Sequence, residues 1–112
     1  MRFIALEKLI NLHDGYRREF TIDYQRLLLL QHDGEHYIVE ARCPHLEHPL
    51  LEAKLEGTTL TCPLHHYRFS LANGALIASS EEGDCRNLRT WPVAYEGSDI
   101  GIAWTGSSGG AH

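Results

Sequence analysis

No stretch of this sequence stays apolar long enough to cross a bilayer. The four leucines at 27–30 form a wholly apolar run, against the roughly 20 residues that a spanning helix needs. The opening segment MRFIALEKLI is broken by charge and carries no cleavage site, so it does not read as a targeting signal. Cysteine is scarce and odd in number, at positions 43, 62 and 85. That excludes a dense disulfide framework of the secreted kind and fits reduced thiols, with a cytosolic setting as the expectation. Positive charge is also in deficit, with 10 Lys and Arg against 15 Asp and Glu, a net charge of −5. A nucleic-acid binder would show the opposite balance, whereas an acidic surface suits docking to a basic patch on a protein. The chain shows no internal repeat, and 112 residues suffice for one domain with one core.

What is present is mostly β signal. Residues 26–32, holding the leucine run, end at Asp33-Gly34, and EHYIVEA at 35–41 follows with Tyr37 and Val39 on one face. Asp-Gly between two such runs predicts a tight hairpin. Asn73-Gly74 marks a turn between 67–71 and 75–78, and Gly97-Ser98-Asp99 one between 92–96 and 100–104. Gly57 precedes the β-branched run Thr58-Thr59-Leu60-Thr61, which leads straight into Cys62. Leu6, Leu9 and Ile10 predict about two helical turns over 6–12. Residues 79–90 read as a surface loop and residues 105–112 (TGSSGGAH) as a mobile tail. Short strands at regular intervals predict an all-β antiparallel sandwich or small barrel.

Two pairs of metal-ligating residues stand out. Cys43-Pro44-His45 is one, Cys62-Pro63-Leu64-His65 the other, with sixteen residues between His45 and Cys62. Each pair follows a predicted strand, and the proline after each cysteine stiffens the turn by fixing φ. Two rigid loops could therefore present their side chains to one centre. Two cysteines and two histidines form a normal zinc set, although zinc modules usually pair like with like in each turn. One of each type per turn suits a binuclear cluster, in which one iron takes both thiolates and the other both imidazoles.

In these motifs the sequence resembles the Rieske iron–sulfur family. The match comprises Cys43-Pro44-His45, Cys62-Pro63-Leu64-His65, then Tyr67-Arg68-Phe69 and Asn73-Gly74, and extends loosely through Leu88, Trp91-Pro92-Val93, Ile100 and Ile102. The resemblance implies one [2Fe–2S] cluster, with Cys43 and Cys62 on the inner iron and His45 and His65 on the outer. It implies a Rieske-type antiparallel β-sandwich base carrying a smaller cluster-binding lobe at about 42–70, built from two hairpin loops, within a domain over 1–104. The family often has glycine where Glu47 and His66 stand here, which alters the loop shape.

Within the family, the high-potential members carry a disulfide between the two cluster loops. His48 and Leu64 hold those positions here, so that bridge is excluded. Phe69 stands at a position where those proteins carry a hydroxyl, and fewer donors leave a reduced cluster less stabilised. The resemblance therefore points to a soluble ferredoxin, a one-electron carrier between a flavin reductase and a terminal ring-hydroxylating or related oxygenase, expected to be a monomer. An oxygenase would need a mononuclear iron domain for which this chain has no room. The alternatives are an auxiliary Rieske subunit of another reductase, such as an assimilatory nitrite reductase small subunit, and a zinc-stabilised interaction module. Of the remaining residues, His48 and His66 are read as loop histidines and Cys85 as a small loop residue. Glu81, Glu82 and Asp84 are read as a solvated face, Leu46, Leu64 and Pro49 as a rim or loop packing, and Trp91 and Trp104 as core aromatics.

Overall fold

The computed structural model describes residues 2–43, 49–63, 67–78 and 86–104. Eleven strands run through them: β1 Arg2–Lys8, β2 Arg17–Ile22, β3 Gln25–His32, β4 Glu35–Glu40, β5 Lys54–Glu56, β6 Thr59–Thr61, β7 Arg68–Ser70, β8 Leu76–Ala78, β9 Thr90–Trp91, β10 Val93–Glu96 and β11 Asp99–Trp104. They form three sheets, in the orders β1-β11-β10, β2-β3-β4-β9 and β5-β6-β7-β8, with antiparallel pairing throughout. The first two sheets make the sandwich base and the third, small sheet makes the lobe. Among the described residues no helix is long and apolar enough to cross a membrane.

Strand β3, inside the middle sheet, is buried on both faces, which accounts for the leucine run. Leu27 to Leu30 are all 0% exposed. Leu27 and Leu29 pack with Ile38, Ile100, Ile102, Trp91 and Trp104 toward the first sheet. Leu28 and Leu30 pack with Val39, Leu60 and Phe69 toward the lobe. A strand covered on one side alternates apolar with polar, whereas one covered on both sides reads as continuous apolar sequence. The two indole rings lie 6.3 Å apart inside the first of these clusters, the core role expected of them.

The Asp33-Gly34 hairpin forms as its sequence predicts, with His32 opposite Glu35 and both turn residues at positive φ. Gly97-Ser98 likewise joins β10 to β11, with Asp99 already in the strand. The predicted helix over 6–12 is not there. Arg2–Lys8 is strand β1, paired with β11 through a bulge between Ala5 and Glu7, and only Leu9–Asn11 winds into a single 3-10 turn. The sheet edge offers every residue of β1 except Leu6 a partner on β11, which outweighs the weak local helical preference. Leu6 and Leu9 still pack on the core, but Ile10 is 90% exposed.

Candidate metal centre

The two cysteine-bearing turns are each closed at the base by backbone. In the first, the chain leaves β4 through Ala41 and Arg42 to reach Cys43. The Leu50 N–H then returns a 2.8 Å hydrogen bond to the Ala41 carbonyl, and Arg42 bridges Pro49 in antiparallel fashion. In the second, Cys62 follows β6 directly, and its own N–H donates to the Tyr67 carbonyl at 2.8 Å. Each turn therefore begins and ends on hydrogen-bonded backbone, which is the support a ligand loop needs.

Both turns share one core. Cys43 and Cys62, 1% and 0% exposed, belong to the cluster that also holds Ala41, Leu50, Leu60, Tyr67, Phe69 and Leu88. Both are thiols rather than halves of a disulfide. A thiolate among Leu, Ala and Phe side chains is costly unless a cation shares the site. The donor set therefore fits a thiolate-bound metal group better than it fits water or a polar substrate. His45 and His65 lie outside the described residues, as do Pro44, Leu46, Glu47, His48, Leu64 and His66, and further along Glu81, Glu82, Asp84 and Cys85. The structure thus brings the two predicted sulfur donors into one core. Of the residues read as a rim, Pro49 is exposed beside the first turn.

Polar ties around the turns were not legible beforehand. Arg17 on β2 donates to the Leu51 carbonyl at 3.0 Å and also to the Ala53 carbonyl, fastening the segment after the first turn to the middle sheet. Burial depresses the Arg17 guanidinium below its ordinary range. Arg42 meets Glu19 at 3.3 Å. Glu40, three positions before Cys43, is buried and takes both the Arg86 guanidinium and the Arg89 N–H. No local pattern marks these partners, because each pair joins residues far apart in sequence.

The protein-family comparison matches the Rieske [2Fe-2S] domain to residues 3–92. A 3-phenylpropionate/cinnamic acid dioxygenase ferredoxin subunit from Photorhabdus laumondii is 34% identical over 94 residues, covering 81% of this chain and 84% of its own. A ferredoxin component of a naphthalene 1,2-dioxygenase system from Pseudomonas aeruginosa is 28% identical over 101 residues, covering 90% and 94%. Among solved structures, a ferredoxin from Sphingomonas yanoikuyae superposes with a TM-score of 0.77 at 25% identity, covering 92% of this chain and 99% of that one.

Proposed function

The chain belongs to the Rieske [2Fe–2S] family, and on that premise we propose that it carries single electrons from a flavin reductase to a terminal ring-hydroxylating or related oxygenase. The reading makes it an electron-transfer component and leaves substrate chemistry to its partner. It acts as a monomer through one domain over residues 1–104. The similarity to ferredoxin components of dioxygenase systems, over most of both chains, supports the choice of partner.

In this proposal Cys43 and Cys62 hold one iron and His45 and His65 the other. When bound, a [2Fe–2S] core with two thiolate and two imidazole ligands accepts and returns one electron, at roughly −150 to +300 mV. The chain's own residues then have defined tasks. Cys43 and Cys62 bring two negative charges rather than four, so the oxidised site stays neutral and accepts an electron more readily than an all-cysteine site. Leu50, Leu60 and Phe69 keep water from the sulfur side. The Leu50–Ala41 and Cys62–Tyr67 backbone bonds fix the ends of both turns beside the two cysteines.

The observation that carries this reading is the pair of buried thiols at the feet of two backbone-closed turns in one core. A redox titration of the purified protein tests it. A midpoint potential well below zero is expected for an oxygenase carrier lacking the inter-loop disulfide. A value near +300 mV, at the top of the range for such centres, contradicts that role.

A further inference from the structure

Four of the chain's ten basic residues surround one open cleft of about 420 Å³: Arg26, Arg42, Arg86 and Arg89, with Glu40 and Cys43 also in its wall. The clustering runs against the net charge of −5. Arg42 and Arg86 are paired with Glu19 and Glu40. Arg89 donates to the neutral Gln25 side chain at 3.3 Å, and among the described residues no carboxylate pairs with Arg26 or Arg89. Among the described residues the cleft therefore keeps a positive surplus, on a chain whose net charge is −5.

Tyr24 stands at its rim, 100% exposed, in the two-residue turn between β2 and β3. Asp23 and Tyr24 have φ of 49° and 67°, a left-handed backbone in which Asn-Gly is the usual pair and an aromatic residue is strained. The turn is anchored, because Asp23 accepts the Trp104 indole N–H at 2.8 Å. An aromatic ring held out to solvent beside guanidinium groups is the composition of protein-interface hot spots. A small anion would use the guanidinium groups but not the ring.

We infer that this cleft docks an acidic surface patch of a protein partner, with Tyr24 as the apolar anchor and Arg26 and Arg89 as the charge partners. Because Cys43 lies in the wall, a protein seated there stands beside one of the two predicted sulfur ligands. The inference rests on the electron-carrier reading only in taking that partner to be a redox protein. The local charge steers association and orients it, so the effect should fall with salt.

The test titrates fluorescently labelled flavodoxin, an acidic flavin-bearing electron-transfer protein, with the metal-loaded protein at low ionic strength, following anisotropy. Arg26→Gln/Arg89→Gln should raise Kd about tenfold, and Tyr24→Ala severalfold. Lys8→Gln/Lys54→Gln, which removes the same charge outside the cleft, should change Kd less than twofold. Equal effects of the two double variants would overturn the inference, and so would no effect of either. Tight binding of inorganic phosphate that only the cleft variant loses, with flavodoxin unaffected, would make the cleft a small-anion site and also overturn it. Visible spectra of the same samples report on the cluster separately: a missing cluster refutes the carrier proposal, while the binding comparison still decides the docking surface.

Discussion

Glu40 and Arg86, 46 residues apart in sequence, meet side by side through two hydrogen bonds, one of them 2.7 Å from Nη1 to Oε1. The pair closes the returning segment against the strand that delivers Cys43. Glu40 also exchanges backbone contact with Arg89, its N–H reaching the Arg89 carbonyl at 2.8 Å while its carboxylate takes the Arg89 N–H at 3.0 Å. Arg86 is about half exposed, so its contribution is moderated by solvent. Arg86→Met leaves the buried carboxylate without its cation and should cost about 1–3 kcal/mol. Glu40→Gln retains an acceptor for the Arg89 N–H and should cost less. Urea unfolding of the two variants checks the order.

Gly74 sits at φ 75°, and a Cβ there would lie 1.9 Å from the Leu88 carbonyl oxygen. That carbonyl cannot retreat freely, since the Leu88 N–H donates to the Gly74 carbonyl at 2.7 Å. Gly74→Ala thus combines backbone strain with a backbone clash and should destabilise by about 3 kcal/mol or more. Gly34 has φ 79° but open space around it, so Gly34→Ala should cost only about 1 kcal/mol. Thermal unfolding of the pair separates crowding from conformation.

Acid should weaken the fold partly through Glu7. The Asn11 amide, the Lys8 N–H and the Tyr16 hydroxyl all donate to its carboxylate, lowering it from 4.5 to about 2. A carboxyl depressed in the folded state stabilises above its unfolded value, and that stability is lost as pH falls from about 4.5 through about 2. Burial and the Glu7 carboxylate raise Tyr16 to about 12. Its contribution is therefore complete below 10 and lost as pH rises through about 12. Glu7→Gln should flatten the stability profile in the acid window, as measured by denaturation at stepped pH.

Ligand assignment divides the histidines and cysteines into two groups. Cys43→Ser, Cys62→Ser, His45→Ala and His65→Ala should each abolish the EPR signal of the reduced protein and lower its stability, because metal binding and folding are coupled. His48→Ala, His66→Ala and Cys85→Ser should retain the signal. Loss of the signal in His66→Ala would overturn the assignment of the second turn.

Much of this arrangement is written locally in the chain. Asp33-Gly34 and Gly97-Ser98 carry their turns in their own backbone preferences, and the Cys-Pro pairs mark where strands end. What is not local is not legible. Residues 6–12 look weakly helical until β11 offers the chain up to Lys8 an edge, and β2 hides among Arg17, Arg18 and Glu19, with only Phe20 and Ile22 facing the core. Glu40 resembles any solvent-facing residue of an alternating strand, yet it is buried because Arg86 arrives from a distant segment. The cleft beside Cys43 is invisible for the same reason, since its arginines come from three separate stretches.

The central claim, a binuclear cluster divided between two thiolates and two imidazoles, is tested most directly by counting metal and sulfide in the purified protein. The account predicts a red-brown protein with two irons and two acid-labile sulfides for each chain, the stoichiometry of a [2Fe–2S] centre. One zinc for each chain, with no sulfide and no colour, would contradict it.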